Sequence, residues 1–257
     1  MQLLVRVVAY AAARSESPPL AAATWSTVAI GGGGDVTGLV QSAATGAAYA
    51  RTDVGGAWRL PSVGGNESWT QLLKSFPPRL RNFYAVESIA VEGATVYLAV
   101  GDGFRLPSAI LRSEDGGATW INSSVVEYVV PMAGNGASRW CGERLGIVPS
   151  TSARVAFFAS RTHGVLRRDG SPAPAGGGDD AKWIPVPSLP RLPDPGYTFL
   201  LFTNETLAFL GAAGIGVYRS TNAGANWTLI GGPTMPCRAA WSAEQQALFV
   251  TSNVTVS

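Results

Sequence analysis

The residues able to do chemistry are few, and most of them stand alone. His163 is the single histidine of the 257-residue chain, so a nucleophilic triad would rest on it alone and a His-rich metal site is excluded. Its place before Gly164 reads as a turn. Cys141 and Cys237 can bridge only if the fold brings them together, and two separately buried thiols are the expectation. What remains is carboxylate chemistry. Asp35, Asp53 and Asp102 each lie in a glycine-bearing segment, where an aspartate either ties a turn or faces a cleft. No metal and no organic cofactor is expected.

The elements that must position these carboxylates are strands. Hydrophobic residues make up 46% of the chain and charged residues 14%, with a net charge of +2, which argues against disorder. The 31 glycines and 17 prolines suit a turn-rich all-β protein. No apolar run is long enough to span a membrane. Lys74 and Lys182 are the only lysines, and the arginines are scattered singly, so no basic stripe for nucleic acid exists. Residues 1–23 read as a signal peptide or leader. Five of the eight asparagines, Asn66, Asn122, Asn204, Asn226 and Asn253, begin N-x-S/T, which points to a secreted glycoprotein.

An internal repeat sets the architecture. Ser113-Glu114-Asp115-Gly116-Gly117-Ala118-Thr119-Trp120 reappears as Ser220-Thr221-Asn222-Ala223-Gly224-Ala225-Asn226-Trp227. A looser copy runs from Arg51 to Trp58, and a degenerate one from Arg167 to Gly170 resumes at Lys182-Trp183. The pattern S-x-D-x-G-x-T-W is the Asp-box, a hairpin turn tied by its aspartate. Each unit of about 55 residues reads as four short strands, with the box between the third and fourth. The expected fold is therefore an all-β propeller with blades at about 24–80, 81–135, 136–190 and 191–235. A half blade at 236–257 leaves the ring incomplete and the chain looking cut.

The stretch Val28 to Gly34, followed by Tyr49-Ala50-Arg51-Thr52-Asp53-Val54-Gly55-Gly56-Ala57-Trp58-Arg59, resembles the amino-terminal blade of glycoside hydrolase family 74, the xyloglucanases. Glu87–Ala90, Val96–Gly101, Ala109–Ser113, Gly142–Leu145 and Ser220–Gly224 match in order, so the resemblance covers about Val28 to Ser252. It implies an inverting hydrolase of xyloglucan or a related β-1,4-glucan, built from two propellers. Asp53 matches the general base, whereas the general acid would belong to a second propeller. Asp35 and the insertion Ser171–Asp180 depart from the family pattern.

An inverting glycosidase needs one carboxylic acid to protonate the leaving oxygen and one carboxylate to activate water. Asp53 either supplies that base or only ties its turn, and no second carboxylate can be assigned. Trp58, Trp140, Tyr84 and Phe104 lie in or near loops, as platforms for sugar rings or as ordinary packing. Glu143 and Arg144 read as a pair at a strand start, placed near the cleft by the family match. Trp120 and Trp227 read as blade core. Two other readings remain. Phe104-Arg105-Leu106-Pro107 superficially resembles a sialidase segment but follows the first box. A non-catalytic propeller of the sortilin or photosystem assembly-factor type would bind protein or glycan.

Overall fold

Unbroken apolar runs such as Val96–Val100 and Ala156–Ala159 belong to strands buried on both faces, because successive side chains point to opposite sides. A computed structural model describes residues 5–6, 30–64, 67–103, 105–123, 130–149, 155–169 and 182–252. Strand β1 (Val5–Arg6) lies within the segment read as a leader. The first blade comprises β2 (Val36–Gln41), β3 (Ala48–Thr52), β4 (Ala57–Leu60) and β5 (Thr70–Gln71). A 3-10 helix over Pro78–Tyr84, with Pro78 opening it, leads to the second blade. That blade holds β6 (Val86–Glu92), β7 (Thr95–Gly103), β8 (Arg105–Ser113) and β9 (Ile121–Asn122), with β10 (Met132–Ala133) added beside β7.

The third blade comprises β11 (Leu145–Ile147), β12 (Ala156–Ala159), β13 (Val165–Arg168) and β14 (Trp183–Pro185). The fourth comprises β15 (Tyr197–Phe202), β16 (Ala208–Ala212), β17 (Gly216–Ser220) and β18 (Thr228–Gly231). A last sheet has the order β1-β20-β19, from β19 (Pro236–Ser242) and β20 (Ala247–Ser252). Within each of the four blades the strands run antiparallel in chain order. The fold is a β-propeller of four blades, as the repeat implied.

Apolar cores lie between neighbouring blades, and alternation along one strand feeds two of them. Val96, Leu98 and Val100 face the first blade, while Tyr97 and Ala99 join Phe158 and Trp183 of the third. In the same way Phe158 faces the second blade and Phe157 the fourth. Each such fully buried aromatic contributes roughly 1.5–3 kcal/mol. Trp227 is buried between the third and fourth blades, and Trp120 packs partly buried against the core of the first two.

A register shift recurs near the start of the first strand of three blades, between Val36 and Gly38, Val86 and Ser88, and Tyr197 and Phe199. Strand β19 repeats it between Pro236 and Arg238. Such bulges bend a strand and re-aim one side chain. Here they take Thr37, Glu87, Thr198 and Cys237 out of the ladder. Cys237 then meets Cys141 in a disulfide across 96 residues, which corrects the expectation of two separate thiols. The physical reason is that bulge together with the short loop before β11, which delivers Cys141 to the same spot.

The two clear repeats form the same turn between third and fourth strands. Ser113 Oγ donates to Asp115 Oδ1 at 2.7 Å, and Gly117 N donates to Ser113 Oγ. Ser220, Asn222 and Gly224 repeat both bonds. Thr119 N and Asn226 N each donate 2.9 Å bonds to the Asp115 and Asn222 side chains. Burial opposes the Asp115 charge, but bonds from Thr119 and Ser113 outweigh it and hold the pKa below the ordinary value. Since Asn222 supplies the same Oδ1 acceptor without the charge, Asp115→Asn is expected to lower the thermal midpoint only slightly. Asp115→Ala should lower stability by about 1 kcal/mol. A larger loss with Asn than with Ala would contradict this account.

Candidate active site around Asp53

The turn that carries Asp53 is of a different kind from the other two. Thr52–Gly56 joins β3 to β4, the second and third strands, so it lies at the opposite end of its blade from the Asp115 turn. This corrects its reading as a copy of the same box. Strand direction alternates, and a motif resembling the box in sequence falls one hairpin earlier. Its counterpart is Ser160–Gly164, between β12 and β13. Thr52 Oγ1 donates to Gly56 O and accepts from Gly55 N, just as Ser160 Oγ donates to Gly164 O and accepts from His163 N. His163 therefore sits in a turn, where burial and the nearby Arg191 lower its pKa.

Because Thr52 ties this turn, the Asp53 carboxylate is released from it. Asp53 Oδ1 instead accepts from Asp35 N at 2.8 Å. The close approach depends on Gly34, at φ +87°, where a Cβ would lie 2.4 Å from Asp53 Oδ1. Asp53 Oδ2 faces Arg139 Nε at 3.4 Å, and Arg139 Nη2 lies 3.9 Å from Asp35 Oδ2. One guanidinium thus stands between two carboxylates. The Asp53 side chain is only 10% exposed, whereas Asp35 opens to solvent.

Arg51 holds the segment that brings Arg139 there. It donates to Arg139 O and Cys141 O, each at 3.1 Å, and pairs with Glu143 at 2.7 Å. Gly38 lets this pair form, since a Cβ there would lie 2.2 Å from Glu143 Oε1 and 2.5 Å from Arg51 Nε. Glu143 also accepts from Ser88 Oγ and Ile89 N. Arg144 is buried and pairs with Glu87 at 3.0 Å, with Pro195 O and Tyr197 O as further acceptors. Burial lowers the Arg144 pKa to about 10, against the pull of Glu87. Arg161 occupies in its turn the place of Asp53, and pairs with Glu87 at 2.6 Å and Asp194 at 3.1 Å. Burial opposes its charge too, but Glu87 and Asp194 outweigh it and raise the pKa.

The aromatic candidates separate. Trp140 is 50% exposed, and the Arg139 guanidinium lies 3.7 Å from its ring centre, a cation–π stack. Trp58 is buried, its indole against Gly32 and its Nε1 donating to Gly55 O. Tyr84 donates to Leu73 O and lines a groove with Val54, Arg79, Arg81, Asn82 and Asp102. Phe104 lies outside the described residues. The site thus gathers Asp35, Asp53, Arg139 and Trp140, with Tyr84 and Asp102 along the groove that begins at Val54. Sequence reading missed Arg139, whose place four residues before Glu143 carries no motif of its own.

No protein-family model matches the chain. It is 31% identical over 270 residues to the xyloglucanase of Hypocrea jecorina, covering 91% of this chain. With a xyloglucanase of Acetivibrio thermocellus it shares 32% identity over 241 residues, 81% of this chain. The structure of the GH74 enzyme from Niastella koreensis superposes with a TM-score of 0.72 at 28% identity, covering 88% of this chain and 34% of that one. That of the GH74 xyloglucanase from Xanthomonas campestris gives 0.67 at 29% identity, covering 86% and 34%.

The chain is similar to the propellers of glycoside hydrolase family 74.

It spans 31% of the length of the Hypocrea relative and 27% of the Acetivibrio one. The Asp53 carboxylate, in the stretch that resembles their first blade, is free of the turn and faces Arg139, whose guanidinium stacks on the exposed Trp140, while the next residue, Val54, lines the groove.

Proposed function

We propose that the chain binds xyloglucan or a related β-1,4-glucan and supplies Asp53 as the general base of an inverting hydrolysis. The supporting observation is the release of the Asp53 carboxylate from its own turn, with Thr52 taking over the tie. A base must take a proton from water, and a carboxylate bound by one backbone N–H and one guanidinium keeps lone pairs for that task. Trp140 and Tyr84 would offer ring faces to pyranose units, whose apolar C–H surfaces stack on aromatic rings. Glu143 and Arg144 would act through their neighbours, as braces of the segment around Cys141.

Among the described residues no second carboxylate is assigned as the general acid, so this chain alone would hydrolyse xyloglucan weakly or not at all. Loss of a general acid typically costs on the order of 10² to 10⁴ in rate. Secretion and glycosylation fit the same reading. Asn122, Asn204 and Asn226 are exposed. Asn204 and Asn226 lie at the turn end opposite Asp53, where glycans would leave the groove open; Asn66 and Asn253 lie outside the described residues. Among the described residues no helix is long and apolar enough to cross a membrane.

Isothermal titration with xyloglucan oligosaccharides tests the reading. Heat of binding is expected at millimolar ligand, and its absence would remove the glucan assignment. Reducing-sugar release matching that of a longer GH74 xyloglucanase would overturn the claim that the acid is lacking.

A further inference from the structure

We infer that the groove beside Asp53 takes a carboxylate-bearing sugar unit, a uronic acid carried by the polysaccharide, with Arg79 and Arg81 as its anion-binding pair. The inference rests on Asp53 marking the reacting end of a glycan site. Val54, the next residue in the chain, forms one wall of the groove, and its volume is about 670 Å³. That is within the roughly 300–1,000 Å³ of small-ligand clefts.

The arginines are the feature that a neutral glycan leaves unexplained. Arg51, Arg139, Arg144 and Arg161 are each committed to a carboxylate of the fold. Arg79 and Arg81 stand two residues apart on the 3-10 helix, exposed, and make no ion pair with any described residue. Both line the groove. Both guanidinium groups border the same groove without a carboxylate partner among the described residues, and a carboxylate entering it supplies one. It also gains the paired N–H···O bonds for which the guanidinium plane is shaped.

Asp102 on the groove gives the pocket a polarity. Its backbone is fixed by pairing with Arg105 and Ala133, where β7 and β8 run beyond the rest of the blade. A carboxylate there accepts bonds from sugar hydroxyls, so the groove offers an acceptor for the neutral part of the unit beside the guanidinium donors. Tyr84, anchored through its hydroxyl to Leu73 O, supplies a ring beside it.

Calorimetric titration of the whole chain with two probes tests this. One is a neutral xyloglucan oligosaccharide, the other the same oligosaccharide carrying galacturonic acid on a side chain. The acidic probe is expected to bind about tenfold more tightly at low salt, with the advantage shrinking as salt is added. The double variant Arg79→Ala/Arg81→Ala should lose that advantage and keep the neutral affinity. Both side chains are exposed, so unchanged thermal unfolding serves as the folding control. Equal affinity for the probes, or an advantage that survives in the variant, overturns the uronate site and leaves the Asp53 reading standing. Heat from neither probe removes both. Free inorganic phosphate binding as tightly as the acidic probe would reduce the arginine pair to a general anion site and overturn the sugar assignment.

Discussion

Replacing Asp53 by Asn is expected to slow fluoride release from a β-xyloglucosyl fluoride by about 10² to 10⁴-fold. This substrate isolates the base. Fluoride departs with the bonding electron pair and needs no proton, so the reaction does not depend on a general acid. Water oxygen bonds to the anomeric carbon as the carbon–fluorine bond breaks, and Asp53 takes the water's proton. Asparagine keeps an Oδ1 acceptor for Asp35 N, so the turn and its neighbour stay in place. Only the proton acceptor and the charge facing Arg139 are lost. Azide, a nucleophile with no proton to give up, should restore the rate in the variant. Equal rates for the chain and for Asp53→Asn would show that the carboxylate only shapes the loop.

Glu87→Ala should cost about 3–5 kcal/mol of stability, the usual penalty for removing one partner of a buried pair. Glu87 is 4% exposed, and its Oε1 faces both Arg144 and Arg161. Its other oxygen accepts the Ala133 backbone N–H. Removing the carboxylate takes a shared charged acceptor from two buried guanidinium groups and from one N–H at once. Domains of this kind hold only roughly 5–15 kcal/mol in total, so urea unfolding should move to much lower midpoints. Asp194→Ala is the control, because Asp194 pairs with the same Arg161 but is half exposed. A pair open to solvent contributes about 1 kcal/mol or less. Equal losses in the two variants would mean that burial of the cluster is not what makes Glu87 matter.

Much of the blade order could be read from periodicity. Tyr197–Phe202, Gly216–Ser220 and Ala247–Ser252 are strands that coincide with apolar runs between turn residues. Apolar runs alone place strands over Thr95–Val100 and Ala109–Ser113, shorter than β7 and β8 are. The hairpin β7–β8 continues through Gly103 and Arg105, because β10 pairs with its projecting end. That pairing joins residues far apart in sequence, and no local pattern announces it. The 3-10 helix carrying Arg79 and Arg81 was likewise not foreseen, although Pro78 marks its start.

The site divides in the same way. Asp53 stood out through the residues around it, but its freedom depends on which hydroxyl ties the turn. Ser113 and Thr52 are similar groups at similar spacing, and they tie hairpins at opposite ends of their blades. Alternating strand direction makes that difference, and it is invisible in a linear repeat.

The sequence by itself determined the class of the fold: strand periodicity and repeated turn residues act locally and leave a local imprint. Tertiary structure decided which carboxylates are free and which are spent. Bulges at Glu87 and Cys237 turn side chains toward partners dozens of residues away. The Cys141–Cys237 bridge and the Arg139–Asp53 contact exist only because the blades curl around a common centre. Charge pairing in a buried space is a property of distances, and distances across a propeller are set by how its blades pack.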